Sequence, residues 1–166
     1  MSGTDAAPSG GQAPAPQLAI NAQYVKDFSF ESPNAPQSLI PGASAPQIEV
    51  NVDVGARSLA EEMFEVTLTL RATARREAEG APEPETVFVA ELVYGGLFTL
   101  RNIPQEQLEP VCLIECPRLI FPFARRIIAD ATRDGGFPPL MLEPIDFLQL
   151  YLRHRQGQMP GQGQPN

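Results

Sequence analysis

The sequence predicts an α+β fold: a four-stranded antiparallel sheet followed by two helices packed on one face. Three observations carry this. Apolar and polar residues alternate through 47–54 and 64–75, the period of strands with one wet face. A helical stripe follows later in the chain, at Ile120, Ala124, Ile127, Ile128 and Ala131, at the spacing that turns one apolar side toward a core. The order is strands first and helices after, which rules out a repeating strand–helix–strand layout.

The first strand centres on 24–31, YVKDFSFE. Simple alternation sets Tyr24, Lys26, Phe28 and Phe30 on one face, and Val25, Asp27, Ser29 and Glu31 on the other. Two carboxylates therefore share a face, with aromatic rings behind them. Pro33 and Pro36 end the strand, because proline has no N–H for a ladder. In 47–54, QIEVNVDV, the residues Ile48, Val50, Val52 and Val54 face one way and Glu49, Asn51 and Asp53 the other. In 64–75 the apolar set is Phe64, Val66, Leu68, Leu70, Ala72 and Ala74. The polar turn 78–85, AEGAPEPE, folds the chain back into a long hairpin whose second arm is 86–101. That arm is apolar on both faces: Val87, Val89 and Val93 on one, Phe88, Ala90 and Leu92 on the other, with Glu91 interrupting the valines. Such a strand is buried twice or offers a sticky patch. Gly95 and Gly96 are expected to break it with a bulge or bend.

A short helix is expected over 105–116, then a stiff junction at Pro117 and Pro122. The longer helix from Phe123 stops at Gly135 and Gly136, and Pro138 and Pro139 forbid a restart. A last helix begins at Asp146, a suitable N-cap, and carries Phe147, Leu148, Leu150, Tyr151 and Leu152.

Composition bounds the rest. Residues 1–17 and 157–166 are poor in large apolar side chains and are expected to be disordered extensions around one domain at 18–156. No apolar run approaches the ~20 residues that cross a bilayer. There is no basic-then-apolar leader, so a cytoplasmic protein that does not insert in membranes is expected. The formal charge is −8, which disfavours nucleic acid and suits a basic partner. Residues 1–117 hold 16 acidic and 6 basic side chains, against 4 and 6 in 118–166, so the acidity is concentrated in the first part of the chain. Cys112, Cys116 and His154 are too few ligands for a four-coordinate zinc, and buried free thiols are the expected state of the cysteines. No catalytic set, phosphate loop or cofactor signature is present, so the sequence argues for a binding protein and against an enzyme.

Two surfaces remain. Asp27, Glu31 and Glu91 beside Val89 would form an acidic rim on an apolar patch. The apolar face of four strands is broader than the helices can cover, leaving a groove near the second strand and last helix. A groove of this kind takes extended apolar segments by burial and strand-edge hydrogen bonds. The alternative is a small-ligand site in the same groove, which would need converging polar groups.

Four phrases, in order, carry a resemblance: YVKDFSFESPNAP from Tyr24, ETVFVAELVYGGLFTL from Glu85, CPRLIFPFAR from Cys116 and GGFPPLMLEPIDFLQLY from Gly135. Together they resemble the SecB protein-export chaperones. The resemblance implies a homotetramer, a dimer of dimers. It implies an ATP-independent holdase that keeps unfolded precursor proteins translocation-competent and passes them to the translocase ATPase SecA. It implies that Asp27, Glu31, Val89 and Glu91 receive the basic, zinc-bearing tail of that ATPase. It implies that clients lie along Ile48, Val50, Val52, Phe147, Leu150 and Tyr151. This chain departs from the family in the segment 37–45 and in its neutral C-terminal tail.

Overall fold

A computed structural model describes residues 11–158; the outer parts of both expected extensions lie outside them. Four strands, β1 (Gln17–Glu31), β2 (Gln47–Ala60), β3 (Met63–Arg76) and β4 (Glu85–Arg101), form one antiparallel sheet in the order β1-β4-β3-β2. The expected fold class is the observed one. β1 begins well before Tyr24: Gln17 already pairs with Arg101. At the other end the last helix runs on through Gly157 to Gln158.

Of the register shifts in the sheet, two fall inside the predicted strand segments and depart from simple alternation. In β1, Val25 pairs with Tyr94 and Asp27 with Val93, so Lys26 is an extra residue. That bulge shifts the phase, and Tyr24 lies on the side of Asp27 instead of behind it. Phe28 and Phe30 do lie behind, as expected; Phe30 stacks on Phe88 with ring centroids 5.8 Å apart. In β4, Ala74 pairs with Phe88 and Arg75 with Thr86, so Val87 is the extra residue. It turns into the core at 1% exposure and does not share a face with Val89 and Val93.

β4 does not break at its glycines. It runs unbroken from Glu85 to Arg101, and Gly95 and Gly96 pair in register on both sides. The glycines are needed for space, not for bending. A Cβ on Gly95 would sit 2.5 Å from Tyr24 Cε2, and one on Gly96 would sit 2.5 Å from Phe98 Cε2. The missing side chain at Gly95 lets Tyr24 lie flat across β4 and reach β3, the close approach that glycine permits inside a strand.

The predicted short and long helices are joined. α1 (Gln105–Pro110), a π-helical turn (Val111–Glu115) and α2 (Cys116–Asp134) follow one another without an intervening loop. The Cys116 N–H donates to the Val111 carbonyl, five residues back. Pro117 sits at the start of α2 and Pro122 inside it. Proline lacks an N–H and crowds the carbonyl four residues before it; the wider turn ahead of Pro117 relieves that crowding, so no junction forms.

Ile120, Ala124 and Ile128 of α2 are fully buried against Leu68, Leu70, Leu92 and Phe98 of β3 and β4. Ile127 and Ala131, at the edge of the expected stripe, are half-buried. The helix ends where its glycines predict, with Gly136 at φ +90° and its N–H donating to the Arg133 carbonyl. Thr132 then fixes the return. Its hydroxyl donates to the Ile128 carbonyl at 3.0 Å and accepts the Leu140 N–H at 2.8 Å. α3 (Phe147–Gln158) is capped by Asp146, whose Oδ1 accepts the Gln149 N–H at 3.0 Å.

If Gly95 is a clearance site for Tyr24, Gly95→Ala displaces that ring and costs about 1–3 kcal/mol, the usual cost of overpacking. Urea unfolding of the two proteins measures it. Unchanged stability would mean that the ring moves aside freely.

Candidate functional site

No helix among the described residues lies on the outer face of the sheet, and register sorts its side chains into cross-strand rows. One row is Glu31, Val89, Thr73 and Glu49. The next is Ser29, Glu91, Arg71 and Asn51, and the third is Asp27, Val93, Thr69 and Asp53. Asp27, Glu31, Val89 and Glu91 thus share one face of neighbouring strands. Asp27 and Glu31 are exposed and have no ion-pair partner among the described residues. Glu91 is different: Arg71 Nη1 lies 3.0 Å from its Oε1. The same face also bears Glu49 and Asp53, which sequence reading had not grouped with the others. Their strand alternation was visible, but joining β2 to β1 requires the full sheet order.

Further along this face, one carboxylate ties the sheet together. Glu65 of β3 is buried, with its side chain 8% exposed. Arg57 Nε of β2 lies 2.8 Å from its Oε1, and Lys26 Nζ of β1 lies 2.9 Å from the same oxygen. The Tyr24 hydroxyl, also from β1, donates to Oε2. The Tyr24 and Lys26 hydrogen bonds, supported by Arg57, hold the Glu65 carboxyl down to about 2, against the cost of its burial. Burial and the adjacent carboxylate push the Tyr24 phenol up to about 12.

The second surface lies on the inner side, beneath the edge strand β2. Ile48, Val50 and Val52 face Leu140, Met141, Leu142 and Ile145 across an open trough of about 470 Å³. Ile48, Val50 and Met141 are 41%, 39% and 57% exposed. Farther along the strand a second trough of about 540 Å³ is lined by Val54, Phe64, Leu108, Leu113 and Tyr151, among others. Val54, Leu113, Leu150, Tyr151 and His154 border the small hollow next to it. Five of the six predicted groove residues therefore line the β2 side, in two groups. Phe147 does not; it is 1% exposed, its ring edge-on to Phe121 at 6.0 Å, and it supports the wall from behind. The strip 140–145 supplies the opposite wall. The sequence signal for it is the apolar run between Pro139 and Pro144, PLMLEP.

Cys112 and Cys116 are free and buried, one on each side of the turn between π and α geometry. Hydrogen bonding to Cys112 and burial push the Cys116 thiol up. No helix among the described residues is long and apolar enough to cross a membrane.

A family profile described as preprotein translocase subunit SecB matches residues 11–158. The protein-export protein SecB of Bradyrhizobium sp. (strain BTAi1) is 55% identical over 151 residues, spanning 91% of this chain and 90% of that protein. That of Maricaulis maris is 56% identical over 152 residues, spanning 90% and 85%. A solved SecB-like chaperone of Mycobacterium tuberculosis, in complex with a ChAD peptide from the HigA1 antitoxin, superposes with a TM-score of 0.61 at 16% identity, over 77% of this chain and 90% of that one. The last likeness establishes the fold alone. The family profile and the two export proteins place the chain among the non-enzymatic protein-export chaperones. The chain belongs to the SecB family.

The depressed Glu65 carboxyl sets a pH dependence. Its folded value lies below its unfolded value, so the stability it confers is complete above about pH 4.5 and is lost as pH falls toward about 2. Glu65→Gln should lower stability at neutral pH by about 1–3 kcal/mol and flatten the loss across that acid window. Urea melts at a series of pH values test this, and an equally steep acid loss in the variant would place its cause elsewhere.

Proposed function

We propose that the protein is a cytoplasmic, ATP-independent holdase that binds unfolded precursor proteins and delivers them to the translocase ATPase SecA. The observation that carries the reading is the apolar trough beside the edge of β2, open along Ile48, Val50 and Met141. An edge strand presents unpaired N–H and C=O groups. Next to an apolar trough, those groups can hold an extended chain by strand addition while its side chains are buried. Burial is non-directional, so recognition needs no fixed sequence. The peptide-bound state of the mycobacterial SecB-like chaperone supports this use of the fold.

Assembly follows from the other flank. Ile20, Val25 and Phe28 lie on the inner side of β1, and they are 37%, 49% and 41% exposed. Leu119 and Phe123 of α2 are 43% and 47% exposed. A single chain leaves this apolar surface wet. Its burial between copies supports the homotetramer, a dimer of dimers, that the family implies. On the outer face, Asp27, Glu31 and Glu91 around Val89 form the surface for the basic tail of the ATPase.

Both surfaces can be tested separately. Val50→Asp combined with Met141→Ser changes exposed positions only. It should weaken capture of a denatured precursor about tenfold while the tetramer mass is unchanged; full capture would move the client groove elsewhere. Glu91→Lys should weaken SecA binding about tenfold at low salt and spare client capture. Parallel loss of both activities would argue against two separate surfaces.

A further inference from the structure

Arg71 holds a singular position on the outer face. In the three rows that contain Asp27, Glu31 and Glu91, it is the one basic residue. Four carboxylates, Asp27, Glu31, Glu49 and Asp53, stand at the corners around it. Its guanidinium is paired with Glu91 at 3.0 Å, and both side chains are about half exposed, 54% and 46%. Asp27 and Glu31 keep open carboxylates, whereas Glu91 is already engaged.

We propose that Arg71 is a built-in competitor on the acidic docking face, and that a basic partner gains Glu91 only by displacing it. The proposal rests on the reading of this face as the site for a basic protein tail. The guanidinium occupies the position that a partner's arginine or lysine would take. It is also a positive charge in the centre of a surface meant to attract positive charge. Both effects lower affinity. An ion pair this exposed contributes little to folding, so its exchange for an intermolecular pair does not disturb the sheet. Arg71 therefore acts as a specificity-determining residue. A polypeptide with a single isolated cation gains no more at Glu91 than Arg71 already supplies. A dense basic segment also engages Asp27 and Glu31, which have no ion-pair partner among the described residues. The resident guanidinium filters partners by charge density.

Affinities of full-length SecA for the wild type, Arg71→Gln, Arg71→Lys, Arg75→Gln and Glu91→Gln, measured by titration calorimetry at low and high salt, test the proposal. Arg75 lies on the same face, four residues further along β3, and its loss changes net charge equally. Arg71→Gln should bind about threefold to tenfold tighter at low salt, with the gain shrinking as salt screens the pair. Arg71→Lys should fall between it and the wild type, because lysine keeps the charge without the planar fork. Glu91→Gln should weaken binding, and in that background Arg71→Gln should gain less, which is the coupling expected of a shared partner. Unchanged or weaker binding of Arg71→Gln, with Glu91→Gln impaired, overturns the competitor and leaves the docking face standing. An equal gain from Arg75→Gln overturns it in favour of net charge. If Glu91→Gln binds as well as the wild type, the docking reading itself fails.

Discussion

A sheet four strands wide is covered on one side by one helical rod. That mismatch governs everything else about the molecule. α2 lies over β3 and β4, where Ile120, Ala124 and Ile128 find complete burial. On one flank it leaves Ile20, Val25 and Phe28 of β1 uncovered, and on the other Ile48 and Val50 of β2. α3 and the strip before it cover part of the second flank and turn the remainder into troughs. The single chain leaves both flanks of the sheet partly uncovered, because apolar area exceeds the helical area available to hide it. The two flanks present the surplus differently, as a broad strip beside β1 and as a trough beside the open edge of β2.

The two proposed activities are separated by the thickness of the sheet. The trough lies on the inner side at β2, and the acidic rows lie on the outer side, across all four strands. Period-two alternation makes this possible within single strands. In β2, Ile48, Val50 and Val52 point inward while Glu49, Asn51 and Asp53 point outward. One strand thus contributes to both surfaces, and the two meet at its edge, where Asp53 Oδ1 lies 3.7 Å from His154 Nε2.

Much of this was legible in the sequence, wherever one period or one cap decided the outcome. The strands at 47–54 and 64–75, the buried stripe of α2, its glycine stop and the Asp146 cap all follow from local rules. The acidic set was legible because Asp27 and Glu31 sit beyond the bulge, in a stretch where alternation holds. The failures came from interactions that local rules do not contain. The Lys26 bulge reverses Tyr24, because Tyr24 and Lys26 both reach Glu65 of β3, far away in the chain. The glycines of β4 looked like a break, whereas the requirement was room for Tyr24. Pro117 looked like a junction until the π turn absorbed it. Arg71 could not be assigned to Glu91 without the pairing of β3 with β4, and Phe147 looked like groove wall because burial depends on what Phe121 does.

The Glu65 carboxylate has a mechanical consequence. Through Arg57 it grips β2, and through Tyr24 and Lys26 it grips β1, passing over β4 on the way. A load on the open edge is then shared with β3 and β1, and the ladder hydrogen bonds of the outermost strand do not bear it alone.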